Sequence, residues 1–404
     1  MREFLLLPSR RHPSLALPAA GGGVAAAAVR KYSQGVGWTE RAARTLASGV
    51  LRLPGGYVTL RRLARDRLRV SAPVGALVDS IERHLGEILG ADVVVTMTVG
   101  PPRANRKPIL QVLALDGRTV AFVKVGTSAV SQALVRGEAE VLSALWSADR
   151  PPRQLRIPRV LHHGRWRGLD LLVLTPVRPT SLRWRRQDVP TAAMRELAGW
   201  LGTSRRPLST SEAWKLAQDT PAQLADPRQA AEFERLVDVA GQRYGDVELA
   251  LGAWHGDWTP WNMAWDGTQV LLWDFERFAT GVPVGFDLLH YTLQVVLRDR
   301  GERAAADVVR AVLTGDPSRV RAATGRRRGV AGGLVQRAVT DLVSRRVDDA
   351  HDPFAGNDVP AVMVAYLVEL ARRYLLASEP PEGAPLRSRT RWLLDLLAEV
   401  VVRP

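Results

Sequence analysis

The sequence predicts an α+β protein, with strands gathered in its first half and helices dominating the second. Three observations lead there. Apolar and β-branched runs of strand length recur between about residues 93 and 175, punctuated by turn residues. Beyond Val177 the apolar spacing is mainly helical. One short hairpin signal interrupts that helical region: Asp266-Gly267, set between the apolar runs NMAW and QVLLW.

Composition bounds the rest. The chain has 404 residues, room for two or three units on a prior of roughly 150 residues each. Three regions are expected: an extension over 1–75, a small region over 76–176 and a large helical region over 177–404. The apolar share of 46% suits a sizeable core. There is no cysteine, so disulfide and thiolate chemistry are excluded. No strongly apolar run reaches the ~18 residues of a membrane span. Ser14 to Val29 follows basic residues, but its proline, glycine run and alanine-rich weakness argue against a secretion signal. A cytoplasmic location is expected. The net charge of +15 is spread along the chain, with no recognised nucleic-acid-binding motif, so a nucleic-acid partner is disfavoured. Arg183–Arg186 and Arg326–Arg328 read as solvated loops. Only Lys31, Lys107, Lys124 and Lys215 are lysines among 56 basic residues, so each lysine draws notice.

The elements follow in order. REFLLLP and SLALP are short strand candidates, and Gly21–Val29 reads as a linker or loose turn. Thr39 to Arg52 reads as a helix with Thr39 as N-cap. Val74–Leu89 is helix-like. Strands are expected at Val93–Val99, Ile109–Leu115 and Thr119–Val125, with Asp116-Gly117 turning between the last two. An amphipathic helix over Ala129–Trp146 precedes strands at Arg159–Gly164 and Leu169–Thr175. Helices are then expected at about 190–203, 221–243, 286–299, 302–314, 331–346, 358–377 and 386–402.

The richest stretch runs from Ala253 to Phe286, AWHGDWTPWNMAWDGTQVLLWDFERFATGVPVGF. A hairpin at Asp266-Gly267 would fold Asp274 back toward Asn262, close in sequence to Asp257. Two carboxylates and an amide oxygen would then converge. Hard oxygen ligands of that kind suit Mg²⁺, which keeps substrate phosphates in its shell.

His255-Gly256-Asp257-x4-Asn262 followed by Asp274-Phe275-Glu276 resembles the catalytic core of the aminoglycoside-phosphotransferase-like small-molecule kinases, including choline-kinase-type enzymes. That family is similar in fold to protein kinases. The resemblance is most specific over Ala253–Asp287 and extends over about Asp92–Ser378. It departs from the protein-kinase pattern in having HGD where HRD stands there.

The resemblance implies a bilobal protein-kinase-like fold, with a five-stranded antiparallel sheet and a helix in the small lobe. It also implies ATP as phosphoryl donor, with GTP left open, Mg²⁺ as cofactor and a small-molecule hydroxyl as acceptor. Asp257 would orient the acceptor hydroxyl, and Asn262 and Asp274 would hold the metal. Lys124, in the apolar strand AFVKV, would orient the α- and β-phosphates beside a helix glutamate. Glu138 is favoured over Glu140 because it shares a helix side with Leu142 and Leu145. Backbone groups of Leu174, Thr175 and Val177 would contact adenine. The loop Gly100–Lys107 would lie near the phosphates, though it lacks repeated glycines. His255 is expected to brace the loop, Trp258 and Trp261 to pack around it, and Asp287 to cap a helix. Asp348, Asp349, Asp352 and Asp358 form an acidic segment, read as a polar loop before a cationic-group site. The alternatives are a nucleotide-binding regulatory module and a protein kinase; no APE-type segment after Asp274 supports the latter.

Overall fold

The computed structural model describes residues 2–7, 9–11, 13–29, 38–71, 73, 78–98, 107–149, 152–178, 189–267, 269–316, 354 and 356–402. The chain divides into two compact units. The small unit is Met1–Ser147 with Ile157–Pro179, and the large unit is Ala148–Arg156 with Thr180–Pro404. The α+β class holds: the small unit is built on an antiparallel sheet and the large unit is mainly helical.

The small unit opens with β1 (Arg2–Leu7), β2 (Leu15–Pro18), α1 (Gly22–Val29), α2 (Trp38–Arg52), α3 (Gly56–Leu63) and β3 (Arg67–Val70). Next come α4 (Ile81–Leu89), β4 (Val93–Thr98), β5 (Ile109–Ala114), β6 (Thr119–Gly126) and α5 (Ala129–Ser147). The strand β7 (Leu155–Arg156) belongs to the large unit; β8 (Val160–Trp166) and β9 (Leu169–Leu174) complete the small one. The sheet has eight strands in the order β3-β1-β2-β4-β5-β6-β9-β8. Five are the strands read for the small lobe, and β1 and β2 are the strand candidates REFLLLP and SLALP; β3 was not anticipated. These last three come from residues 1–75, and β2 pairs directly with β4 through Leu15 opposite Thr98 and Ala16 opposite Met97.

Strand alternation sets the core of this sheet. Leu110 and Val112 of β5, and Ala121, Val123 and Val125 of β6, pack in one buried cluster with Leu85 of α4. A second cluster joins Leu5, Leu17, Ala25, Ala26 and Leu51.

That second cluster corrects two readings. Gly21–Val29 is not a loose turn: its alanines form α1 and bury Ala25 and Ala26 completely. Alanine loses no side-chain entropy in a helix, and a tertiary face supplies the remaining stability. The helix α2 begins at Trp38, which puts Thr39 inside it rather than at its cap. A third correction concerns α4, which starts at Ile81 where Ser80 accepts from the Arg83 N–H. Of the predicted residues before it, 74–77 lie outside the described set.

The large unit continues with α6 (Thr191–Trp200), β10 (Ser204–Pro207), α7 (Glu212–Gln218), α8 (Pro227–Tyr244), β11 (Glu248–Trp254), β12 (Met263–Trp265), β13 (Val270–Leu272) and β14 (Ala279–Pro283). It ends with α9 (Phe286–Arg300), α10 (Glu302–Thr314), α11 (Val359–Ser378) and α12 (Arg387–Val402). Two three-stranded sheets accompany the helices, ordered β10-β11-β14 and β12-β13-β7. The helix α11 is buried from Ala361 through Ala371, as an apolar helix at the centre of a helical unit must be. The expected helix at 331–346 and the clusters Arg183–Arg186 and Arg326–Arg328 lie outside the described residues. No described helix is long and apolar enough to cross a membrane.

Candidate active site

In the large unit the site grows from the turn after β11. The strands β12 and β13 pair through Met263–Leu272, Ala264–Leu271 and Trp265–Val270. Gly267 takes φ +102° in the connecting turn, a region open to glycine at little cost. Asp266 helps close the turn: its N–H donates to Gln269 O, and its carboxylate accepts from Arg156 at 2.6 Å. The hairpin returns the chain to its starting point, where the Trp273 N–H donates to Asn262 O at 3.2 Å. Asp274 follows immediately.

Asp274 itself has φ 75° and ψ 59°. A non-glycine residue in the left-handed region is uncommon, and such strain collects at functional sites. The backbone turn swings the chain into the one-turn helix Phe275–Arg277.

The loop from His255 to Asn262 is braced from every side. His255 is fully buried. Its Nε2 lies 3.1 Å from Trp273 O, and its Nδ1 accepts the Asp257 N–H at 3.3 Å. A carbonyl only accepts, so Nε2 carries the proton. Burial lowers the imidazole pKa to about 4, so the ring is neutral, against the pull of Asp257 and Asp274. His255 therefore ties the loop to the hairpin end.

Gly256 has φ +79°, and a Cβ there would run into the Arg277 carbonyl oxygen. Only glycine fits, which gives the middle position of HGD a steric reason.

Asp287 is not the N-cap the sequence reading expected. That place belongs to Gly285, and Asp287 sits inside the first turn of α9. Its carboxylate instead accepts the N–H groups of His255 at 2.8 Å and Gly256 at 3.2 Å. Burial pushes its pKa up to about 7, opposed by those two donors and by Arg373. Arg373 of α11 closes the circle: it donates to Gly256 O at 2.6 Å and stacks over Trp254 at 4.1 Å. Glu369 anchors that guanidinium. Burial raises the Glu369 carboxyl, but Arg373 and Arg372 outweigh it and hold it below the usual carboxylate value.

Asp257, half-buried, stands at the centre. Asn262 Nδ2 donates to its Oδ2 and to its backbone oxygen, both at 2.9 Å. His290 Nε2 lies 3.2 Å from its Oδ1. Burial raises the carboxyl pKa, but the hydrogen bond from His290, with the Arg277 charge nearby, brings it below the ordinary value.

The contacts of Asn262 also decide its amide orientation. Both partners are acceptors, so the nitrogen faces Asp257 and Oδ1 points away from it. An amide oxygen and a carboxylate such as that of Asp274 are hard-oxygen donors of the kind Mg²⁺ takes. Among the described residues no three His, Asp or Glu side chains cluster as a metal cage.

The small unit holds the other predicted pair. Lys124 lies between Val123 and Val125, so alternation turns it to the opposite sheet face from their core cluster. The helix α5 carries Glu138 within its buried stripe of Val135, Leu142 and Leu145. Lys124 Nζ donates to both Glu138 oxygens, at 2.8 and 2.6 Å. Lys124 is 8% exposed and Glu138 0%; Glu140 is exposed.

At the end of β9, Leu174 is buried and paired with Phe122 and Val160. Thr175 is committed to Arg159: its N–H donates to Arg159 O at 2.9 Å, and its hydroxyl accepts the Arg159 N–H at 2.8 Å. Val177 is half-buried beyond the strand. The phosphate-side loop lies outside the described residues except for Lys107, as do Asp348, Asp349 and Asp352. Asp358 caps α11 by accepting the Ala361 N–H. Trp258 is fully buried, and Trp261 lies under Arg298 at 4.9 Å.

Sequence reasoning missed His290, Tyr366, Glu369 and Arg373. The available signal was polarity in the wrong place: a histidine inside FDLLHYTLQVV and charges inside the apolar α11.

Comparison with known proteins adds a likeness. The chain is similar to aminoglycoside phosphotransferase APH(4)-Ia. That structure matches at 13% identity and a TM-score of 0.49, covering 80% of this chain and 97% of that one. A thermostable D198A mutant of the same enzyme, in ternary complex with ADP and hygromycin B, matches at 13% identity and a TM-score of 0.47, covering 80% and 98%. Amicoumacin kinase hAmiN, in complex with AMP-PNP, Ca²⁺ and Ami, matches at 10% identity and a TM-score of 0.39, covering 76% and 90%. No family model and no curated protein matches the sequence.

Proposed function

We propose that this chain is a phosphotransferase of protein-kinase-like fold that moves the γ-phosphate of ATP to a hydroxyl of a small molecule. The observation that carries this reading is the held carboxylate of Asp257. Its two oxygens are oriented by Asn262 and His290, and the hairpin stitches Trp273, the residue before Asp274, to the same loop. Phosphoryl transfer needs positioning and charge neutralisation more than covalent chemistry from the protein.

In this reading Asp257 receives the proton of the acceptor hydroxyl. The acceptor oxygen bonds to the γ-phosphorus, the bond from that phosphorus to the β–γ bridging oxygen breaks, and the nucleoside diphosphate leaves with the electron pair. Asn262 Oδ1 and Asp274 would hold Mg²⁺, which when bound neutralises charge on the β- and γ-phosphates. Lys124, kept straight by Glu138, orients the α- and β-phosphates. Leu174 and Val177 offer backbone groups to the base, whereas the Thr175 N–H is occupied by Arg159. The acceptor class is a sugar, an amino alcohol, an aminoglycoside-like compound or another metabolite hydroxyl.

The test is Asp257→Asn, which keeps shape but removes charge and basicity. Turnover should fall by roughly 10²–10⁴-fold, the span of a positioned acid or base. The loss should lie in kcat, with nucleotide KM near normal. Full activity with acceptor saturating would reject this role of Asp257 and the mechanism built on it, whereas nucleotide binding with no turnover in the unaltered chain would favour a nucleotide-binding regulatory module.

A further inference from the structure

We propose that His290, held by Tyr366, is a positioning residue that fixes the orientation of the Asp257 carboxylate; the proposal rests on the phosphotransfer reading above. His290 comes from α9 and Tyr366 from α11. Tyr366 is fully buried, and the His290 side chain is 6% exposed while that of Asp257 is 31%. The relay therefore runs from the interior outward: Tyr366 Oη lies 3.0 Å from His290 Nδ1, and His290 Nε2 lies 3.2 Å from Asp257 Oδ1.

The partners decide the proton positions. An ionised carboxylate only accepts, so Nε2 must carry a hydrogen. Burial lowers the His290 pKa, so the ring is neutral and Nδ1 is bare. The Tyr366 O–H then donates to Nδ1 and locks the tautomer. Packing fixes the ring plane as well: Trp254 meets the imidazole edge-on, with centroids 6.3 Å apart and planes at 90°.

The chemical consequence lies in the donor's charge. An arginine at this place would fix the carboxylate too, but its full positive charge would oppose protonation of Asp257 during transfer. A neutral N–H orients the group and withdraws less electron density. Asn262 holds the other oxygen with a second neutral donor. Asp257 is thus gripped on both sides by uncharged groups, and each oxygen keeps a further lone pair for the acceptor hydroxyl.

Two measurements on the full chain test this. The first is the tautomer of His290, read from ¹⁵N NMR of selectively labelled protein. The expected pattern is Nε2–H with bare Nδ1 in wild type, blurred by Tyr366→Phe; the opposite tautomer would overturn the proposal whatever the reaction proves to be. The second is hydrolysis of Mg²⁺-ATP, with water as the probe acceptor. His290→Leu should lower kcat on the order of 10–10²-fold, the cost of misplacing a reacting group by about 1 Å. ATP affinity by calorimetry and Tm serve as controls. His290→Gln, which can return a neutral N–H near the same point, should recover most of the loss, and Tyr366→Phe should lose less than His290→Leu. In the Asp257→Asn background, His290→Leu should add little, because the two residues act as a unit. Wild-type hydrolysis in His290→Leu alongside slow Asp257→Asn would overturn the positioning role alone. Equal slowness of the Gln and Leu variants at unchanged Tm would do the same. Full activity in Asp257→Asn would instead remove the role of Asp257 on which the proposed mechanism rests.

Discussion

Asn262 grips Asp257 twice through one nitrogen, at its Oδ2 and at its backbone oxygen, each at 2.9 Å. The contact orients the carboxylate and turns the Asn262 amide oxygen the other way. One residue thereby connects the proposed base to the proposed metal ligands.

Asp274 should matter for the metal-nucleotide complex and not for holding Asp257. Asp274→Ala is expected to weaken Mg²⁺-ATP binding in calorimetric titration. Unchanged affinity would remove Asp274 from the metal site.

Lys124 and Glu138 should separate stability from catalysis. Lys124→Ala leaves Glu138 buried without its ammonium, and breaking a buried pair in this way costs about 3–5 kcal/mol. Lys124→Met combined with Glu138→Leu should regain most of that stability while turnover stays lost. Glu140→Ala, on the exposed side of α5, should be close to neutral in both assays. A damaging Glu140→Ala, or an active double variant, would contradict the assignment.

Gly256 is confined by its own backbone. Gly256→Ala must adopt φ near +79° and push away the Arg277 carbonyl. Such strain costs about 1–3 kcal/mol, so Tm should fall, and turnover should fall with it because Asp257 is the next residue. An unchanged Tm would show that the loop relaxes freely.

Two buried groups should give opposing pH slopes. His255 has a folded pKa near 4 against 6.5 for the free group. Its contribution is complete above about pH 6.5 and is lost as pH falls through the window to 4, a change of ~3 kcal/mol. His290, also lowered by burial, acts in the same direction. Asp287 runs the other way: with a folded pKa near 7 against 3.8, its contribution is complete below about pH 3.8 and is lost as pH rises toward 7. Asp287→Asn removes the compensating group, so its Tm should drop more steeply than wild type between pH 7 and pH 4. His255→Asn should drop less steeply or rise. Parallel Tm profiles in all three proteins would reject these titrations.

Much of the site was legible in one dimension because its determinants are local. Asp257, Asn262 and Asp274 lie within one loop and one hairpin, and the turn chemistry of Gly267 is enough to bring the chain back. Glu138 could be told from Glu140 by helical period alone, since rotation about one helix needs no knowledge of its neighbours. The five strands β4, β5, β6, β8 and β9 were visible for the same reason.

What only the tertiary structure decided comes from distant chain segments. His290 is 33 residues from Asp257, Tyr366 is 76 from His290, and Arg373 is 117 from Gly256. No periodicity encodes such pairings; they follow from how α9 and α11 pack in the large unit. Asp287 shows the difference most clearly. Its position before an apolar helix read as a cap, but the buried amides of His255 and Gly256 needed an acceptor, and in the folded chain they take its carboxylate. The alanines of α1 likewise became a helix because Leu5, Leu17 and Leu51 gave them a surface to bury against.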